Sequence, residues 1–287
     1  MRFMYKFLKK LRAKLLIPKN ASIDKNTYWS NKIIAKVYDS NTKDPSIDNI
    51  LNKIYCDYVE KYSTKGESIL DIGAGTGIIS IELSKRGYNI TATDISFEML
   101  SILKNKNQNI SIFQGDIRNI KLNRKFETIV TRWFLPHMRD WKEIIKKISK
   151  DFLIEGGYFI FDMPNKRHIE ISKNGTNQIS DEIFGYNDDT LASDNYFYAS
   201  ATNDEIIKLC NENNLKFVER IPHGIFKSNR IIATYSGGKI FKNNNELLRN
   251  IKKNKYLYDF VYSYEKYITP NLNSDYVHGS IVVLKKL

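Results

Sequence analysis

The chain has 287 residues, 42% of them hydrophobic and 27% charged, proportions that exclude collagen-like, largely disordered and membrane-bundle proteins. Lysine and arginine outnumber aspartate and glutamate by 45 to 32, giving a formal net charge of +13. That balance suits an anionic partner, yet lysine dominates over arginine and Asn, Ile and Tyr abound, a bias that AT-rich coding produces without one.

The charge is concentrated at the N-terminus. Residues 1–25 carry Arg2, Lys6, Lys9, Lys10, Arg12, Lys14, Lys19 and Lys25 against Asp24 alone. Phe3, Phe7, Leu11 and Leu15 recur every four residues, with Met4 and Leu8 beside them and basic residues opposite. This pattern predicts a basic amphipathic helix, stopped by Pro18 and Asn20, in an arm spanning 1–26. Two readings stay open: residues 1–17 make peripheral contact with anionic lipid, or they pack on the domain. Lysines interrupt the apolar stretch and no small-residue cleavage site follows, so a secretory signal is not expected. No apolar run approaches the ~18–20 residues of a spanning helix. Cys56 and Cys210 lie far apart without metal-ligand spacing. A reduced, cytoplasmic protein, peripheral on the membrane if the arm binds lipid, is the expectation.

Residues 27–66 predict two helices joined by a turn at 40–45, the second with an apolar stripe of Ile50, Leu51, Ile54, Tyr55 and Tyr58. Strands then alternate with helices. Strands are expected at 68–72, 89–93, 110–113, 126–131 and 157–161, and helices at 78–85, 97–104 and 141–152. That alternation means right-handed crossovers and a mostly parallel sheet covered on both faces, an α/β fold. A further helix opens at Thr202 with Asn203 as its expected cap, followed by strands at 216–221 and 278–284. Between those strands lies an insertion, 222–276, with helices expected near 245–252 and 255–267. Together with an acidic loop at 171–199, it is expected to form a lid over the binding surface.

Chemistry is concentrated at the strand ends. The run Leu70-Asp71-Ile72-Gly73-Ala74-Gly75-Thr76-Gly77 passes from strand through a glycine turn into a helix. A dehydrogenase turn places its third small residue three after the second glycine, and here that position is Ile78. The third glycine is instead Gly77, and Asp71 precedes the turn. Asp94 ends the second strand, and Gly115-Asp116-Ile117 follows the third.

In the order and spacing of these three motifs the chain resembles class I S-adenosylmethionine-dependent methyltransferases. The resemblance covers 68–165 well and the later helix and strands less closely. It implies a Rossmann-like, seven-stranded, mostly parallel sheet with an antiparallel last strand, here within a domain spanning 67–287. It also implies S-adenosyl-L-methionine as cofactor. By that resemblance Gly73, Ala74, Gly75 and Gly77 admit the methionyl part, Asp71 orients it, and Asp94 accepts the ribose hydroxyls beside Ile95. A carboxylate has two acceptor oxygens for two neighbouring donors. Asp116 and the Ile117 backbone match the adenine reader, and Thr131 and Arg132 flank the methionine end.

His137, after the fourth strand, sits where many small-molecule O-methyltransferases of this type keep a histidine. Imidazole can take a hydroxyl proton near neutral pH, and capping of the next helix is the alternative. Arg132 can instead clamp an acceptor anion. Trp133 can stack on a sugar or pack in the core. Asp162 and His223, ending the fifth and sixth strands, and Asn165 are further acceptor-side candidates, and Tyr28, Trp29 and Tyr38 can fold over the cofactor. The stretch Thr131-Arg132-Trp133-Phe134 is not the proline-rich turn common in base amino-methylation, and neither cysteine sits where a carbon-methylating nucleophile is needed. No metal set is read: Asp162 stands alone, opposed by Arg132.

The expected reaction is methyl transfer to a small-molecule or glycan acceptor, with a sugar hydroxyl on a nucleotide sugar or surface polysaccharide preferred. The rivals are N-, lipid, quinone or RNA methylation, or non-catalytic cofactor binding at a membrane.

Overall fold

The computed structural model describes residues 32–41, 46–167, 199–226, 251, 253–277 and 279–287. The amphipathic arm, Tyr28, Trp29, the acidic loop, most of the helix expected near 245–252 and His278 lie outside the described residues.

Helices α1 (Lys32–Asn41) and α2 (Ile47–Tyr62) precede the sheet. The Ser46 side chain accepts from Asn49 N–H and caps α2. Then β1 (Ser68–Ile72), α3 (Ile78–Lys85), β2 (Asn89–Asp94), α4 (Phe97–Lys106) and β3 (Ser111–Gln114) follow in order. They lead to β4 (Phe126–Thr131), a 3-10 turn (Leu135–His137), α5 (Trp141–Lys147) and β5 (Leu153–Asp162). The chain continues with α6 (Asn203–Asn211), β6 (Leu215–His223), α7 (Lys255–Ser263) and β7 (Gly279–Lys286).

Seven strands form one sheet in the order β3-β2-β1-β4-β5-β7-β6. The first five pair in parallel, and β7 runs antiparallel between β5 and β6. The expected Rossmann-like sheet with an antiparallel last strand is therefore present. Strand order reverses between β1 and β4, and ligands of open α/β sheets bind at the carboxyl ends beside such a reversal. In register, Thr131 pairs with Phe161, Asp162 with Ile281 and His223 with Gly279, so these residues share the carboxyl edge with the end of β1.

Alternation along the strands fills both faces. Leu70, Ile72, Ile129, Phe159 and Phe161 pack against α5 and α6. Ile69, Ala92, Val130 and Ile160 pack against Tyr55, Cys56 and Val59 of α2 and against Ile79, Leu83, Leu100 and Leu103. Helix α2 turns a third set, Ile47, Ile50, Leu51 and Ile54, toward Ile251 and Val261. Buried Glu265 accepts from Gly224 N–H at 2.8 Å and Phe226 N–H at 3.0 Å, tying the chain leaving β6 to the end of α7.

Several boundaries differ from expectation. Thr202, not Asn203, caps α6, because Thr202 and Glu205 form a reciprocal capping box. The helix expected over 141–152 is α-helical only to Lys147 and widens into a π turn over Ile148–Phe152. The helix expected over 255–267 widens likewise from Tyr264 to Ile268. Strand β6 runs through Pro222 and His223, so the insertion leaves the sheet at Gly224.

Candidate active site

The glycine turn is shaped by backbone bonds. Thr93 O accepts from Gly73 N–H at 2.8 Å and Ala74 N–H at 3.0 Å, holding the turn over the end of β2. Gly73, Gly75 and Gly77 have φ of 72°, 56° and 84°, in the left-handed region where a side chain is disfavoured. Their surroundings differ. A Cβ on Gly73 would lie 2.7 Å from Phe134 Cδ2, and one on Gly77 2.2 Å from Leu103 Cδ1. A Cβ on Gly75 would meet nothing nearer than Tyr38 Cε1 at 3.9 Å. Gly73 and Gly77 thus let side chains pack onto the turn, and Gly75 is the glycine with space before it.

Asp94 holds that space from below. Its Oδ2 accepts from Gly75 N–H and its Oδ1 from Ser96 N–H, each at 2.9 Å. Each oxygen keeps lone-pair capacity for one more donor. Burial pushes its carboxyl above the usual range, against the pull of those backbone donors. Asp71 lies behind the turn, 1% exposed, accepting from Ser80 Oγ at 2.5 Å. Burial pushes Asp71 up to about 7, Ser80 pulls it down, and the Asp94 charge adds to the rise.

Asp116 bonds locally, its Oδ1 accepting from Arg118 N–H at 2.9 Å, and the Ile117 side chain is buried in the core. The Ile95 carbonyl accepts from Gln114 Nε2 at 3.2 Å.

Tyr38 brings α1 onto the same turn. An ion pair between Lys106 and Asp39, and a 3.1 Å bond from Lys106 Nζ to Thr76 O, dock that helix against α4 and the glycine turn. Although the residue is 36% exposed, desolvation of its hydroxyl end pushes the Tyr38 phenol up to about 12, with Asp48, Asp94 and Asp162 adding to the rise and Arg132 opposing it. Asp94 at the end of β2 and the Arg132–Asp162 pair at the ends of β4 and β5 lie on the same carboxyl edge of the sheet.

At the ends of β4, β5 and β6 the side chains interlock. Arg132 Nη1 lies 3.3 Å from Asp162 Oδ2 and 3.4 Å from His223 Nε2. Arginine only donates, so any hydrogen bond there needs Nε2 as acceptor and the ring proton on Nδ1. Arg132 Nε donates to Asn52 Oδ1 at 3.1 Å. Its guanidinium carbon stands 4.5 Å from the Trp133 ring centre and 5.4 Å from that of Tyr55. The Tyr55 hydroxyl lies 2.7 Å from Ile160 O and 3.1 Å from Thr131 O, pinning the ends of β4 and β5 to α2. Trp133 has φ of 57°, strained for a bulky residue, and its N–H donates to Asp162 Oδ1 at 2.6 Å.

Arg132 Nη2 and Thr131 Oγ1 are buried without a hydrogen-bond partner among the described residues. Leaving such a donor unsatisfied costs about 1–3 kcal/mol, more for a charged group, unless a ligand answers it. His137 is half-buried in the 3-10 turn after β4, its N–H donating to Phe134 O at 3.0 Å. Asn165 does not join the cluster: its Nδ2 donates to Ser274 O at 2.6 Å and its Oδ1 accepts from Arg167 N–H at 3.1 Å.

The sequence reading missed three contributors. Asn52 and Tyr55 lie on one face of α2, three residues apart, where a polar residue beside an apolar stripe was the only signal. Ser80 had none, since its link to Asp71 depends on how α3 leaves the turn.

The residues present fit an adenosyl cofactor: a glycine with open space, a carboxylate with two spare acceptor positions below it, and a tyrosine above. The fold and this arrangement define a class I S-adenosylmethionine-dependent methyltransferase. A model of the methyltransferase domain family matches residues 47–219, more than half of the chain, and the chain belongs to that family. Ubiquinone biosynthesis O-methyltransferase of Coxiella burnetii is 29% identical over 124 residues, 41% of this chain and 53% of that protein. The putative methyltransferase YqeM of Bacillus subtilis is 31% identical over 126 residues, 41% and 51% of the two chains. The chain spans about half the length of these curated relatives. Magnesium protoporphyrin IX methyltransferase of Synechocystis PCC 6803, solved with bound S-adenosylmethionine, shares the fold. Its TM-score is 0.52 at 13% identity, over 94% of this chain and 100% of that one.

Proposed function

We propose that this protein transfers the methyl group of S-adenosylmethionine to a hydroxyl oxygen of a small-molecule or glycan acceptor, a sugar hydroxyl in the finer reading. The observation that carries it is His137, a half-buried imidazole one turn beyond β4 on the carboxyl edge shared with the glycine turn and Arg132. Bound S-adenosylmethionine supplies a methyl group on a sulfonium, which needs little activation by protein. Gly75 and Asp94 hold the nucleoside end, and Tyr38 covers it. His137 takes the proton of the acceptor hydroxyl at a ring nitrogen as the oxygen attacks. Arg132 and Trp133 wall the acceptor side, so rate comes mainly from holding the oxygen in line with the methyl. The Coxiella relative is named for oxygen methylation, which favours a hydroxyl over an amine.

The test uses cofactor carrying a labelled methyl, incubated with the protein and an extract of its source cells. The extract is then separated into small molecules, glycan and lipid, RNA, and protein. Label in nucleotide-sugar or glycan fractions is expected. Label confined to RNA would overturn the reading, and the positive charge would then become the recognition feature. Absence of label alongside measured binding of S-adenosylhomocysteine would point to a non-catalytic protein.

A further inference from the structure

Arg132 is a buried cation on the acceptor side, its side chain only 5% exposed. Nε is taken by Asn52, and Nη1 faces Asp162 and His223. Nη2 has no hydrogen-bond partner among the described residues. A planar guanidinium so fixed by Asn52, Asp162 and the Trp133 and Tyr55 rings cannot swing to water to satisfy that group. An oxygen on a ligand would answer it.

Charge decides which oxygen. Asp162 already balances the guanidinium. Asp94, a second carboxylate on the same carboxyl edge, has no ion-pair partner among the described residues. The sulfonium of the donor would balance Asp94. A carboxylate or phosphate at Nη2 would then enter without a cation of its own among the described residues. A hydroxyl or ring oxygen satisfies Nη2 and adds no charge.

We propose that Nη2 of Arg132 receives an uncharged oxygen of the acceptor, and that the site thereby selects a neutral polyol ring over its carboxylate or phosphate counterpart. The proposal rests on the methyl-transfer reading and narrows its acceptor to a neutral sugar or glycan rather than a nucleotide sugar.

The test is saturation-transfer NMR on the full chain loaded with S-adenosylhomocysteine, whose binding is first measured by calorimetry. The probes are methyl α-D-glucopyranoside, the corresponding methyl glucuronide and glucose 1-phosphate. The neutral glycoside should show the strongest transfer, with the two anions about fivefold or more weaker. Arg132→Lys keeps the charge but loses the second planar amine. It should remove about tenfold of the glycoside's affinity. Stronger transfer to either anion, equal glycoside binding in Arg132→Lys, or no transfer to any probe would overturn the proposal. The wild-type ranking decides by itself if Arg132→Lys does not fold. Failure of the wild-type protein to bind S-adenosylhomocysteine would instead bring down the methyl-transfer reading beneath it.

Discussion

Around β1 and β2, backbone groups shape the cleft: Thr93 O receives two consecutive N–H groups of the glycine turn, and Asp94 receives two more from Gly75 and Ser96. Around β4, β5 and β6, side chains do so: Arg132 meets Asn52, Asp162 and His223, which come from α2, β5 and β6. The first half is specified within a short stretch of chain and can recur with little change wherever that stretch recurs. The second exists only after the sheet has closed. Each of its contacts depends on a distant residue, so it is the half free to differ in acceptor.

The sharpest way to break this division is a reciprocal pair of variants. His137→Ala should lower kcat by about 10²–10⁴-fold while the affinity for S-adenosylhomocysteine stays unchanged. Asp94→Ala should do the converse, weakening cofactor binding by about 10²-fold through loss of the ribose acceptors and release of Gly75 N–H. Calorimetry for binding and a labelled-methyl assay for turnover read both. If His137→Ala keeps full turnover across pH, the base lies elsewhere in the acceptor half.

The same division explains what was legible in the sequence. The glycine turn, Asp94 and Asp116 could be read because their spacing is local and their chemistry is carried by residue type. The strand ends at Asp162 and His223 could also be placed, since alternation locates a strand's last residue. Their partnership could not, because nothing local reports that Arg132 and His223 meet across the sheet. Nor could the positive φ of Trp133 be foreseen, since it depends on an Asp162 oxygen 2.6 Å from its N–H. Glu205, three residues after Thr202, spells the capping box that makes Thr202 rather than Asn203 the cap of α6.

A smaller effect separates the glycines from one another. Gly77→Ala should destabilise the fold by about 3 kcal/mol, combining a left-handed backbone with a methyl driven into buried Leu103. Gly75→Ala carries the conformational cost alone, about 1–2 kcal/mol, because its Cβ would point into open space before Tyr38. Its larger consequence should be weaker cofactor binding. Urea denaturation and S-adenosylhomocysteine calorimetry on both variants check the contrast. Equal loss of stability would mean that Leu103 moves aside, and Gly77 would then be a turn glycine only.

An effect of similar size, visible only as a slope against pH, concerns the buried acid beneath the turn. Asp71 ionises at about 7 in the fold and near 3.8 when unfolded. The native protein therefore holds a proton that the unfolded chain has released between those values, and stability must fall as pH rises through that window. Between pH 5 and 7 the loss comes to about 2 kcal/mol from this group. Asp71→Asn keeps an oxygen for Ser80 Oγ and cannot ionise, so its stability should vary less over the same interval. Urea denaturation at pH 5 and pH 7 on both proteins measures the difference, with contributions from all other groups cancelling. A shallower slope in the variant would establish that Asp71 is held protonated by the closed turn and is ionised only at cost. Equal slopes would mean that Asp71 is ionised throughout, with water or a cation reaching it behind the glycines. The turn would then be open on its inner side, and the backbone-built half of the cleft would be less self-contained than its hydrogen bonds imply.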